Sequence, residues 1–407
     1  MQLLDDVRPL TLNDYEEVLA AYARDCGEIT GVHAIYQFGN VGAPGLSDID
    51  LMVVVDEHAT PKLDDLQRLS VRHEAWQREP RMGACFIHNV FVCSTSVFAD
   101  IEWFSPQNQW RRLTGSDVPR QQQDVAERRT ASLVHGLDFS IGRLHELVRL
   151  QTLKSCSLRW LIPQLWSLTH TMSILESAGV ALEPTWKRVA DALSELRSAD
   201  GKDRRAAFAA DLLPTVITHF QLSVDHFARL LTLRHRLEPP QLTRSCSMAA
   251  YSSRAMHAYH GAGVDGSPFA TSATSLSRRL RIFGRTVVSE WSRVDLPAVI
   301  LAHHLQYLVA DPSHDRIPPR LARLGRMLLS SGTSETYQRV VRKRATLVKK
   351  NNQAMRDLRI DFTQLAIPGL LAMAPINSAK TGTWRYRALR SLLDWQALPV
   401  GVLGLEN

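Results

Sequence analysis

An apolar and aromatic run, His33–Phe38, ends on Gly39, and glycines recur at Gly42 and Gly45 beside Pro44. Ser47-Asp48-Ile49-Asp50 then opens a second apolar run, Ile49–Val55, which closes at Asp56. A chain that turns from apolar to glycine-rich and back to apolar over so short a span is committed to two strands joined by a shaped connection. On either side the spacing becomes helical. Leu12–Cys26 repeats apolar positions at Tyr15, Val18, Leu19 and Tyr22, starts after Asn13-Asp14 and stops before Gly27, and Lys62–Gln77 repeats the pattern. Gly83–Cys93, rich in Phe and Val, reads as a third strand. The order is α-β-β-α-β, a small mixed α/β domain.

Past Trp103 the pattern breaks. Residues 105–123 are polar, proline-bearing and poor in aliphatic side chains, which places a domain boundary there. From about residue 124 onward the periodicity is almost entirely helical, over Val125–Leu150, Leu153–Ala178, Trp186–Leu196, Arg204–His235, Leu296–Leu308, Arg320–Leu329 and Glu335–Leu358. Gly261–Ser277 reads as a long loop that divides this part into two lobes. The expected architecture is α+β: a small mixed-sheet domain over residues 1–115, followed by a large all-α domain over residues 120–407. With 407 residues and 45% hydrophobic composition, two domains are a natural division of the chain.

Charge divides in the same place. Residues 1–115 hold 9 Lys and Arg against 17 Asp and Glu, a net of −8, and subtraction from the totals of 48 and 41 leaves 39 against 24, or +15, for the rest. Eleven of those positive charges fall between Arg320 and Arg359, among them Arg339, Arg342, Lys343, Arg344, Lys349, Lys350 and Arg356. Such a run is ordinarily a solvated face. Its functional reading is a surface that guides the phosphates of an anionic ligand toward the acidic domain.

Several classes of function are disfavoured. No stretch approaches the roughly 18 apolar residues of a membrane span, since Leu296–Ala310 is broken by His303, His304 and Gln306 and Ile367–Ile376 is short. The first residues carry no leader pattern, so a cytoplasmic location is expected. Five scattered cysteines with no C-x-x-C pair argue against a disulfide framework or a thiolate zinc site. Gly261–Gly266 has the spacing G-x-G-x-x-G but follows a helical pattern, and His257 with His260, or His303 with His304, lacks a third ligand at a diagnostic spacing.

The chemistry concentrates on Asp48 and Asp50. At i, i+2 in a strand, two carboxylates share one face while Ile49 turns to the other. Paired hard oxygen donors suit Mg²⁺, which keeps waters and substrate phosphates as its remaining ligands. The glycines just before them let backbone N–H groups approach an anion such as a triphosphate.

In this order the strand, the glycine-rich turn, Ser47-Asp48-Ile49-Asp50 and the apolar strand resemble the signature of the DNA polymerase beta-like nucleotidyltransferase superfamily, over roughly residues 30–100. The resemblance implies that Asp48 and Asp50 hold Mg²⁺ or Mn²⁺, that Gly39, Asn40 and Ser47 contact a nucleoside triphosphate, and that a nucleoside monophosphate passes to a hydroxyl acceptor, whether small molecule, protein or nucleic acid. It also implies helices after the catalytic module, forming the other wall of a cleft. A third carboxylate belongs on a later strand of the family; His88 or Asn89 holds that position here, with Asp100 and Glu102 just beyond. The alternative expectation is a non-catalytic or regulatory member of the same fold that binds a nucleotide or a partner.

Overall fold

The computed structural model describes residues 2–4, 6–59, 63–86, 91–136, 155–179, 184–198, 211–212 and 334–357. The chain forms two compact units: Met1–Gly136 with Leu153–Ile217 and Leu347–Leu370, and Leu137–Thr152 with Thr218–Thr346 and Leu371–Asn407. The first contains a four-stranded mixed sheet. Its strands are β2 (Val32–Phe38), β3 (Asp50–Val55), β4 (Phe91–Ser94) and β5 (Trp110–Gly115), in the order β4-β3-β2-β5. β2 is antiparallel to both neighbours, with Phe38 opposite Asp50 on one side and Trp110 on the other, while β3 and β4 run parallel with Met52 beside Phe91.

The central position of β3 explains its composition. A strand covered on both faces reads as a continuous apolar run, and every residue from Leu51 to Val55 is buried. Ile35, Leu51, Val53 and Val55 point into a core with Tyr15, Leu19, Tyr22 and Cys26 of helix α1 (Leu12–Gly27) and Leu69 of helix α2 (Leu63–Gln77). Tyr36 and Phe38 point the other way. There Tyr36 stacks on Phe98 at 4.4 Å between ring centroids and Phe38 meets Phe91 and Trp110 at 5.4 and 5.1 Å. Asp50, opposite Phe38, lies on this second face.

Helix α1 begins at Leu12, and its cap lies two residues before the Asn13-Asp14 pair expected to start it. Thr11 is the cap: its hydroxyl accepts from the Asp14 backbone N–H, and the Asp14 carboxylate accepts from the Thr11 N–H at 2.6 Å, a reciprocal capping box. The third strand is also shorter than its apolar composition implies. Gly83–Cys85 forms a tight turn, held by Gly83 N–H donating to the Glu79 carbonyl at 2.8 Å, before β4 begins at Phe91.

Residues 105–123, expected to be a connection, contain β5. Its alternating residues are largely exposed, so an edge strand with one wet face carries too few aliphatics to be recognised by composition. The other edge is closed by helix α7 (Glu335–Asp357), which crosses the division between the two units. From the first unit's part of α7, the buried Asn351 amide accepts from Ser94 N–H at 3.1 Å and donates to the Val92 carbonyl at 3.4 Å. This side chain supplies two bonds of the kind a further strand would have made.

Four further helices join the same unit. A short helix α3 (Thr95–Phe98) follows β4, residues 125–136 form helix α4, and then β6 (Ser155–Ser157) pairs in parallel with β1 (Gln2–Leu4). Asp6 fastens this corner by accepting from Ser157 Oγ at 2.5 Å and from the backbone N–H of Arg159 at 3.1 Å. Helix α5 (Leu158–Ser177) buries Leu161, Leu165, Leu168, Met172 and Leu175, and helix α6 (Thr185–Ser198) buries Trp186, Val189, Leu193 and Leu196, each at helical spacing. The helical stretches expected at Arg204–His235, Leu296–Leu308 and Arg320–Leu329, the loop at Gly261–Ser277 and the histidine pairs lie, apart from residues 211–212, outside the described residues. Among the described residues no helix is long and apolar enough to cross a membrane.

Candidate functional site

Gly39 ends β2 with φ at +76°, a conformation that an L side chain adopts only with strain. A Cβ placed there would stand 3.5 Å from Asp50 Oδ2, so the Asp50 carboxylate is turned toward the start of the glycine-rich connection. Gly39, Asn40 and Gly42 are exposed, and within this half the Gly42 N–H donates to the Asn40 carbonyl at 2.9 Å.

The second half is held from below. Ser47 Oγ accepts from the Ala43 N–H at 3.0 Å, and the backbone N–H groups of Leu46 and Ser47 both donate to the Ala43 carbonyl. Tyr15, from the buried face of α1, donates its hydroxyl to the Ser47 carbonyl at 2.7 Å and accepts from the Gly45 N–H at 3.1 Å. Burial pushes the Tyr15 phenol far above its ordinary range and raises the Cys85 thiol, which donates to Tyr15 at 3.4 Å. Arg159 Nη2 in turn reaches Cys85 Sγ at 3.4 Å. Gly45 has φ at +81°, and a Cβ on it would come within 2.1 Å of the Arg8 carbonyl oxygen, so no other residue fits.

Asp48 and Asp50 are each half-buried on either side of Ile49, which enters the core and donates its N–H to the Cys85 carbonyl at 2.8 Å. Asp50 opens β3 and Asp48 precedes it. The Asp48 charge acts on Arg197, at the last turn of α6: burial lowers the guanidinium's pKa and Asp48 opposes that shift. Arg197 Nη2 donates to Ser47 Oγ at 3.2 Å, and the guanidinium carbon lies 4.0 Å from the Trp166 ring centroid. Sequence reasoning passed over Arg197, Tyr15 and Trp166. A cation closing a helix is ordinary complement to its dipole, and an aromatic on an apolar helix face is ordinary core.

Donor chemistry fits a hard cation. Two half-buried carboxylates beside an exposed glycine-rich turn could supply part of an oxygen shell to Mg²⁺ or Mn²⁺, with the rest left to water and phosphate. Among the described residues no group of three or more His, Cys, Asp or Glu side chains converges. Asp100 and Glu102 stand instead in the turn after α3, and His88 and Asn89 lie outside the described residues. Of the basic run, Arg342 and Lys350 are exposed, but Arg344 is fully buried and so cannot act as a surface guide; Arg320, Arg323, Arg326 and Arg359 lie outside the described residues.

Compared with protein-family models, with curated proteins and with solved structures, the chain finds no match in any of the three.

Proposed function

We propose that the chain is a metal-dependent nucleotidyltransferase, its catalytic module the mixed-sheet domain and its second part a large helical domain. The observation that carries this reading is the Asp50 carboxylate turned onto positive-φ Gly39 at the mouth of an exposed glycine-rich turn, with Asp48 two residues before it. Asp48 and Asp50 hold Mg²⁺ or Mn²⁺, and Gly39 and Asn40 offer backbone N–H groups to the triphosphate. When bound, the metal polarises the phosphoryl oxygens and lowers the pKa of the attacking hydroxyl. Ser47 ties the second half of the turn to Ala43, which gives the exposed half a fixed base beside the anion.

A second reading has its own support. Because no third acidic or imidazole group joins the pair among the described residues, a non-catalytic nucleotide-binding role fits the same geometry. Incubation with each of the four α-labelled nucleoside triphosphates and Mg²⁺ or Mn²⁺ separates the two. The enzyme reading expects pyrophosphate release and label on the protein or an added hydroxyl acceptor, lost in Asp48→Asn and Asp50→Asn. Tight nucleotide binding with no pyrophosphate from any of the four contradicts it and leaves the binding role.

A further inference from the structure

Among the described residues, Arg197 is seated by two light contacts. Its Nη2 holds a neutral hydroxyl, Ser47 Oγ, at 3.2 Å, and its guanidinium lies over Trp166 at 4.0 Å, contacts that guide a cation but are weaker than a bidentate carboxylate pair. It also overlooks the exposed half of the turn. A Cβ on Gly42 would stand 3.1 Å from Nη2, so the glycine there leaves room for the guanidinium beside the exposed N–H groups. Asp48, next to Ser47 in the chain, is the carboxylate whose charge acts on it.

We propose that Arg197 is the resident counter-charge of this site, balancing Asp48 while the site is empty and passing to the phosphates of the incoming nucleotide as the divalent cation takes the carboxylates. The inference rests on the nucleotidyltransferase reading and adds a residue from the helical segment to it. One cation cannot serve two anions equally, so Arg197 and the metal compete when no phosphate is present. Once phosphate arrives they cooperate, because Arg197 gains a doubly charged partner and releases Asp48. Arginine suits this exchange, since its planar fork matches a phosphate bidentately and keeps its charge throughout.

The prediction has opposite signs in two titrations on the full chain. Removing the charge by Arg197→Gln tightens binding of Mn²⁺ alone, followed by electron paramagnetic resonance, by about threefold, the worth of a partly exposed ion pair. The same variant weakens binding of inorganic tripolyphosphate in excess EDTA by about tenfold or more, the loss of a charge-assisted contact. Arg197→Lys, which keeps the charge, stays near wild type for Mn²⁺. Arg197→Met, which also removes the charge, gives the same two signs as Arg197→Gln and replaces it should that variant fail to fold. Both affinities unchanged, or both weakened together, overturn the inference while leaving the nucleotidyltransferase reading intact. Wild-type protein that binds neither Mn²⁺ nor tripolyphosphate overturns that reading, and the exchange with it.

Discussion

Gly39–Gly42 and Ala43–Ile49 are consecutive parts of one connection, yet Gly39, Asn40 and Gly42 are exposed while Ala43, Gly45, Leu46, Ser47 and Ile49 are buried. The buried half has its backbone groups claimed by the protein: Tyr15 takes two, Ser47 and Ala43 bond each other, and Cys85 receives Ile49. Among the described residues the exposed half shows one backbone bond of its own. Rigid support under one half and open N–H groups on the other is how a loop can meet an anion without paying to reorder itself. Substitutions in the two halves should therefore fail in different measurements.

The largest effect is expected at Gly45. Gly45→Ala meets both a left-handed backbone and the Arg8 carbonyl at 2.1 Å, and should cost about 3 kcal/mol in chemical denaturation, with ligand binding lost only as far as folding is lost. A variant as stable as wild type would mean the buried half is not fixed. Tyr15→Phe should cost about 1–2 kcal/mol, because the Ser47 carbonyl and the Gly45 N–H lose a partner inside the protein. At the small end stands Asn40→Ala, an exposed position, expected to change stability by less than about 0.5 kcal/mol and to weaken nucleotide binding by a few-fold. If Asn40→Ala destabilises as much as Tyr15→Phe, the contrast between the halves collapses.

What could be read in advance follows the range of the interactions. The order α1-β2-β3-α2-β4 and the glycine-rich turn rest on periodicity and on local backbone demands, which neighbouring residues encode. β5 escaped because Trp110-Arg111-Arg112-Leu113-Thr114-Gly115 sits at a wet edge, where alternation is weak. The cap of α1 was placed on Asn13-Asp14 although Thr11 has the hydroxyl at the right offset for a box with Asp14. Arg197 could not be found locally at all, since it meets Ser47 across 150 positions of sequence. Arg344 shows the reverse error: a charge run read as solvated face contains a side chain with no exposure.

The central claim is that Asp48 and Asp50 together hold the metal of a metal–nucleotide complex over the exposed half of the turn. Isothermal titration of Mg²⁺–nucleoside triphosphate into wild type, Asp48→Asn and Asp50→Asn tests it most directly, with thermal melts to show that each variant is folded. Each substitution should weaken binding by about tenfold or more, about 1.4 kcal/mol, while the melting temperature of Asp50→Asn holds or rises with the loss of carboxylate repulsion in the empty protein and that of Asp48→Asn, which also takes the counter-charge from Arg197, falls only slightly. Unchanged affinity in both folded variants would contradict the claim.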